Sequence, residues 1–347
     1  TKQKMSTATE EPTFVQTQHG KTRYKLEGDL DSKELLLCVH GIGSGAYTFD
    51  YFAKFAASQG FLVLRLDLYG RGLSDNAPKN VKHTTELYVS QIYQLLEHLK
   101  FVPNENKEKV ITVIGHSMGG GVVTAFADQY SHIVDNLILM TPACTPFKMP
   151  PGSGLVKFRG LGELLFKINN KVNTPYSILS NEFYKKKDHE QTIKWLVEER
   201  SKMNQKNLDE SFLNCIRNFP LTGQTEAVKR LGKLTNTRIL VVWAMYDTTV
   251  PPHECFPVFW DAMKGNSQFA VFSDTKHIFN LERIDDSNHL MLNFVKQRTD
   301  PSLALDHNVV KIEYGEPEES QYDEMYKFWR AFEKKVDPNV ANKLLIV

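Results

Sequence analysis

Cysteine is scarce. Cys38, Cys144, Cys215 and Cys255 are the four in 347 residues, and they form neither a C-x-x-C pair nor a metal-ligand spacing. A disulfide scaffold is therefore not expected, and a reducing compartment is favoured. A charge excess of either sign is also lacking: 42 Lys and Arg stand against 41 Asp and Glu, a formal net charge of +1. That balance excludes a strongly basic nucleic-acid binder on composition. No apolar run approaches the ~18 residues that a membrane-spanning helix needs, and there is no internal repeat or low-complexity tract. Thr1 rather than Met leads the sequence, which leaves open a removed targeting segment, and with it the compartment. What is present suits a large buried core, with 41% hydrophobic and 24% charged residues.

Short apolar blocks recur, each followed by a helical pattern. Glu34–Val39, Phe61–Asp67, Val110–Gly115, Asn136–Met140 and Arg238–Ala244 are near-continuously apolar, as strands buried on both faces of a parallel sheet must be. Helix-length stretches lie between them at Ala46–Ser58, Thr84–Leu99 and Met118–Tyr130, and Thr13–Gln18 with Thr22–Glu27 forms an N-terminal hairpin pattern. The alternation predicts a mostly parallel, doubly wound α/β sheet over residues 1–141, with ligands at the carboxyl ends of the strands.

The rhythm breaks after Met140. Residues 142–154 hold four prolines and two glycines, and from Leu155 to Lys233 the pattern is helical, so residues 142–237 read as a helical insertion, a cap. Its sixteen Lys and Arg against nine Asp and Glu give it +7, leaving −6 for the rest of a +1 chain. A solvated helical surface explains such an imbalance; so does peripheral contact with an anionic membrane or substrate. The sheet pattern resumes over 238–299. The extension, 300–347, carries Tyr322, Met325, Tyr326, Trp329 and Phe332 on one helical stripe, a face suited to packing on the domain or to a protein partner.

The most specific signal is Gly115–His116–Ser117–Met118–Gly119, a G-x-S-x-G placed between the strand Val110–Gly115 and a helix. A sharp strand-to-helix turn strains the serine and projects its hydroxyl at the sheet edge, and small flanking residues let the backbones approach. The helix N-terminus offers N–H groups to developing negative charge. A second N–H must come from a facing loop; His40–Gly41–Ile42–Gly43 follows the strand Glu34–Val39, so Ile42 and Met118 are the candidate oxyanion-hole donors, with His40, Gly41, Gly115 and Gly119 in support. A serine hydroxyl needs a base and an orienting acid, expected here in the order Ser, acid, His. Asp247 follows the strand Arg238–Ala244, and His277 follows a strand over Gln268–Ser273. His253 and His289 lie in helical stretches, and the His116 side chain is expected to point away from the turn's apex.

These residues resemble the α/β-hydrolase superfamily, over the chain from about Thr13 to Phe294. Asp67 to Ser74 is similar to that family's D-x-x-G-x-G-x-S loop, Asp247 to Pro251 to its D-x-x-x-P pattern, and Lys276 to Phe294 to its G-H-x-x-x-x-E-x-P stretch and last helix. Lys276 stands where glycine is usual, and Ile284 near the usual proline. The resemblance implies the α/β-hydrolase fold with a helical cap, no metal and no organic cofactor, and a serine hydrolase working through an acyl-enzyme, with Ser117, His277 and Asp247 as its triad. G-H-S-M-G-G with an upstream H-G-x-G is similar to monoacylglycerol lipases and lysophospholipases, which favours a lipophilic ester. It is similar as well to carbon–carbon bond hydrolases and to small-ester and peptide hydrolases. A non-catalytic binding or scaffold protein of the same fold is the alternative from another class.

Overall fold

The computed structural model describes residues 12–102, 109–149, 152–303, 317, 319–335 and 344–347. Among these residues, nine strands form a single sheet in the order β1-β2-β4-β3-β5-β6-β7-β8-β9: β1 (Thr13–Thr17), β2 (Gly20–Gly28), β3 (Glu34–Val39), β4 (Leu62–Leu66), β5 (Val110–His116), β6 (Asn136–Met140), β7 (Arg238–Ala244), β8 (Ser267–Phe272) and β9 (Leu344–Ile346). The pairs β1/β2 and β2/β4 are antiparallel, and every other neighbouring pair is parallel. The fold is thus the mostly parallel α/β-hydrolase type that the sequence predicts.

Period-2 alternation assigns the strand side chains to two cores. Leu35, Leu37 and Val39 of β3 face one core, with Ile92 and Leu95 of α2 (Thr85–His98) and Val122 and Phe126 of α3 (Met118–Gln129). Leu36 and Cys38 face the other, beside Phe52 of α1 (Asp50–Ser58) and Met291 of α12 (Ile284–Lys296). Both faces being covered explains why these strands read as unbroken apolar blocks.

One charged residue interrupts them. Arg65 of β4 is buried, and its guanidinium is taken up by Glu27 of β2, Asp50 of α1 and the Ala46 carbonyl. The cation is tolerated because acceptors from three elements meet it.

Between β6 and β7 run α4 (Ser153–Val156), α5 (Leu161–Val172), α6 (Pro175–Ser180), α7 (Glu190–Ser201), α8 (Gln205–Asn218) and α9 (Thr225–Leu231). Of these, α9 lies against α3 and against α10 (Pro252–Met263), where Val228 and Leu231 join the first core. After β8 come α11 (Phe279–Glu282), α12 (Ile284–Lys296) and, in the extension, α13 (Asp323–Glu333). Tyr322, Met325 and Trp329 of the apolar stripe are buried against this same domain. No described helix is long and apolar enough to cross a membrane.

Candidate active site

Ser117 joins β5 to α3 with φ +57° and ψ −122°, a conformation that costs a non-glycine residue ~1–3 kcal/mol and persists only where its surroundings impose it. Here the Ser117 N–H donates to the Met140 carbonyl at 2.9 Å, and the Ser117 carbonyl accepts from Ala143 N–H at 2.9 Å. The flanking glycines are steric requirements. A Cβ at Gly115 would sit 2.4 Å from the Gly119 carbonyl oxygen, and one at Gly119 would sit 2.2 Å from the Val39 carbonyl oxygen. Only glycines let α3 start this close to β5 and β3.

The loop after β3 faces this turn: a Cβ on Gly41 would lie 3.2 Å from Ser117 Cβ. His40 controls the loop. Its Nδ1 bonds the Gly41 carbonyl at 2.8 Å, and its Nε2 accepts from Leu68 N–H at 3.0 Å. These partners require the neutral Nδ1–H tautomer, and burial pushes the His40 pKa down to about 4. The Gly41 carbonyl and the Ile42 N–H share one trans peptide and point in opposite directions. His40 therefore fixes the direction of the Ile42 N–H. Arg71, fully buried, donates from Nε to the Ile42 carbonyl at 2.8 Å and from its other nitrogens to the Tyr69 carbonyl, Tyr88 hydroxyl and Cys215 sulfur. Among the described residues, neither the Ile42 nor the Met118 N–H is engaged in a hydrogen bond.

The loop resembling D-x-x-G-x-G-x-S holds this arrangement from below. Asp67 accepts from Ala46 N–H at 2.7 Å and Leu73 N–H at 3.0 Å, and Ser74 Oγ donates to the Asp67 carbonyl at 2.6 Å. Gly72 has φ +55° and wraps so closely that a Cβ would fall 2.0 Å from Asp67 Cγ.

Asp247 is fully buried on the loop after β7. Its Oδ1 accepts from the Thr249 and Val250 N–H groups, each at 2.8 Å, and its Oδ2 meets His277 Nδ1 at 2.8 Å. A carboxylate with these partners assigns the proton to Nδ1 and leaves His277 Nε2 as the basic nitrogen. Burial pulls the His277 pKa down, but the charge and hydrogen bond of Asp247 outweigh it and hold the value above the ordinary imidazole range. Glu182 adds to the rise and Lys276 opposes it.

Two of the three residues picked from sequence are thus in direct contact. Ser117 lies at the same edge of the sheet; its hydroxyl makes no hydrogen bond among the described residues. His253 faces Glu254 and Glu324, and His289 is exposed against Phe55. Lys276 keeps a backbone outside the left-handed region, so glycine is not needed there. Its N–H donates to Glu282 at 2.6 Å, and its ammonium reaches the Asn181 carbonyl.

His116 departs from expectation. Its side chain does not turn away: Nε2 bonds the His277 carbonyl at 2.8 Å, and the two ring centroids lie 4.7 Å apart. Burial, reinforced by the charge of His277, lowers its pKa to about 3, so it donates as a neutral imidazole. The sequence offered no signal for this role, since the residue before the serine is free to vary in the G-x-S-x-G pattern. Among the described residues, no group of three or more His, Cys, Asp or Glu is arranged to hold a metal ion.

Comparisons with known proteins identify the family. Residues 31–283 match the family model described as serine aminopeptidase, S33. A serine hydrolase-like protein of Dictyostelium discoideum is 30% identical over 118 residues, 33% of this chain and 30% of that protein. The 2-hydroxy-6-oxononadienedioate/2-hydroxy-6-oxononatrienedioate hydrolase 1 of Pseudomonas putida is 26% identical over 78% of this chain and 94% of its own length. Among solved structures, an esterase from Exiguobacterium antarcticum superimposes with a TM-score of 0.67 at 19% identity, over 82% of this chain and all of that one. A meta-cleavage product hydrolase from Pseudomonas fluorescens does so at 0.64 and 21%, over 82% of this chain and 98% of that one. The chain belongs to the S33 serine aminopeptidase family, and with it to the serine hydrolases of the α/β-hydrolase superfamily.

Proposed function

We propose that the protein cleaves a lipophilic carboxylic ester through an acyl-enzyme. The contact that carries the hydrolytic reading is the 2.8 Å bond between His277 Nδ1 and buried Asp247, at the same sheet edge as a strained Ser117. In this reading His277 Nε2 takes the Ser117 proton as Oγ attacks the ester carbonyl, and the Ile42 and Met118 N–H groups bind the oxyanion. His277 then protonates the leaving alcohol and activates water for deacylation. The test is intact mass after brief exposure to a fluorophosphonate: one adduct on the native protein and none on Ser117→Ala supports the reading. No adduct on the folded native protein overturns it in favour of a non-catalytic binding protein.

The lipophilic substrate and membrane contact are inferred from the inserted helices. Of the eleven exposed large hydrophobics among the described residues, seven fall within 155–176: Leu155, Phe158, Leu161, Leu164, Ile168, Val172 and Tyr176. Along α5, Leu161, Leu164, Ile168 and Val172 share one face, while Phe166 turns inward onto Phe212. Lys157, Arg159, Lys167 and Lys171 lie exposed beside this ridge, and Glu163 is bonded to Arg217. An apolar ridge flanked by cations suits the surface of an anionic bilayer. At ~1 kcal/mol per cation, binding to anionic vesicles should exceed binding to zwitterionic ones by roughly a thousandfold. Equal flotation with both, or no loss in Phe158→Asp, refutes the docking.

The Pseudomonas putida relative named for a 2-hydroxy-6-oxononadienedioate and the solved structure named for a meta-cleavage product favour a second reading, carbon–carbon bond hydrolysis. Turnover of a meta-cleavage dienoate with no turnover of long-chain p-nitrophenyl esters would establish it over the first.

A further inference from the structure

The extension does more than cover an apolar face. Its contacts converge from two sides on the loops that carry Asp247 and His277. On the acid side, the buried Trp329 of α13 donates from Nε1 to the Met245 carbonyl at 3.1 Å, two residues before Asp247. Its ring packs on Phe256 of α10 with centroids 4.8 Å apart, and α10 begins directly after the acid loop. Tyr322 lies 5.1 Å from the Tyr246 ring and 5.2 Å from the Tyr184 ring, and Tyr184 stacks on Tyr246 at 4.8 Å. On the histidine side, the Lys276 ammonium lies 5.7 Å from the centre of the Tyr322 ring. Strand β9 pairs with β8, which leads into the histidine loop: the Ser273 N–H and hydroxyl both bond the Val347 carbonyl at 2.9 Å.

The family match ends at residue 283, so the matched segment contains Ser117, Asp247 and His277 but not Tyr322, Trp329 or β9. Tyr184 adds a third party, because it belongs to the segment linking α6 to α7 of the inserted helices. A cavity of about 290 Å³, lined by Tyr184, Thr248, Lys276, Glu319 and Tyr322 among others, marks where insertion, acid loop, histidine loop and extension meet.

We propose that the C-terminal extension is a positioning element for the Asp247–His277 pair, with Trp329 and Tyr322 as its positioning residues. This rests on the reading of that pair as the working acid and base. Trp329 sets the Met245 peptide, Tyr322 wedges the Tyr246 side chain against Tyr184, and Asp247, next in the chain, is held at hydrogen-bond distance from His277. A displaced carboxylate would support the imidazole less, while Glu182, Lys276 and the neighbouring ring of His116 would still face it.

The test uses Trp329→Phe, which keeps most of the ring and loses the N–H, and Tyr322→Leu. Val295→Ala on α12 serves as a control for a fold weakened elsewhere. The readouts are kcat and KM on p-nitrophenyl butyrate, and the His277 titration followed by NMR, assigned with His277→Gln. Both extension variants should lose about ten- to a hundredfold in kcat with little change in KM. Their His277 pKa should move down, while Val295→Ala changes neither quantity. Variants that remain folded and keep the native His277 titration and native kcat overturn the proposal, leaving the extension a packing segment. If the native protein turns over no ester, the ester reading fails separately, and the His277 titration alone decides whether the extension positions the pair.

Discussion

Asp247→Asn isolates what the acid does. The carboxylate accepts three hydrogen bonds, from Thr249 N–H, Val250 N–H and His277 Nδ1–H. An asparagine of the same shape keeps the first two through its carbonyl oxygen, because those donors are backbone and cannot reorient. Its amide nitrogen then faces His277 Nδ1. Two donors cannot share that contact, so the imidazole is driven to the tautomer with Nδ1 bare and Nε2 protonated. That ring has no lone pair for the Ser117 proton. The same tautomer error in a serine protease lowers turnover ~10⁴-fold, so the expected loss here is about four decades, or ~5.5 kcal/mol of transition-state stabilisation.

The assay is single-turnover release of p-nitrophenol on a Ser117-dependent ester, read against pH. His277 works as a base only when neutral, so native activity should fall as pH drops through its raised pKa. The variant loses the upward push of the Asp247 charge and keeps the downward push of burial, with Glu182 still raising and Lys276 still lowering. Its residual acid limb should therefore move to lower pH. A folded variant that loses less than tenfold, or whose acid limb stays in place, refutes the tautomer argument and the assignment of Asp247 with it.

Three further outcomes follow from buried groups. Arg65→Met leaves Glu27 buried with Lys25 as its remaining ion-pair partner, so urea denaturation should show a loss of about 3–5 kcal/mol; a loss under 1 kcal/mol would mean that Glu27 is not held by Arg65. Gly119→Ala puts a methyl 2.2 Å from the immobile Val39 carbonyl oxygen, which should cost about 1–3 kcal/mol by overpacking and reduce fluorophosphonate labelling as α3 shifts; native labelling at native stability would contradict the geometry. His40, His83 and His116 are pushed down to about 4, 3 and 3, chiefly by burial. Their stabilising contribution is full above the unfolded pKa near 6.5 and is lost as pH falls below it, about 2 kcal/mol per histidine by pH 5. His277, raised, has the opposite sign: its contribution is present below about 6.5 and fades as pH rises through its folded value. His189, lowered by burial, joins the first three, while Glu282, which burial pushes up to about 7, gains roughly 2 kcal/mol on the same descent and so sides with His277. The lowered histidines outweigh that pair, so the denaturation midpoint should drop between pH 7 and pH 5, and a flat midpoint would count against the burial of these rings.

What was legible in the sequence is what local patterning dictates. Asn136–Met140 and Arg238–Ala244 are strands with the bounds read from their apolar runs, because burial on both faces leaves no other reading. The serine turn announces itself because its glycines are steric necessities that fall within five residues, although the neighbour that enforces Gly119 is Val39 of β3. The remaining features depend on partners distant in the chain. Arg65 breaks an apolar strand, and only Glu27 and Asp50 from other elements explain it. His116 looks like a variable position until the loop of His277, 161 residues onward, lies against it. The strand β9 is three residues long, too short for period-2 alternation to register, and it exists because β8 offers an edge. Lys276 shows the same limit from the other side. Pattern shows only that a lysine stands where glycine is usual; the structure shows its side chain leaving toward Asn181 and Tyr322. The departure from the usual glycine is one of the places where insertion, site and extension join. That is the contact to expect if the chain has tied the positioning of its acid and base to a segment beyond the family's common core.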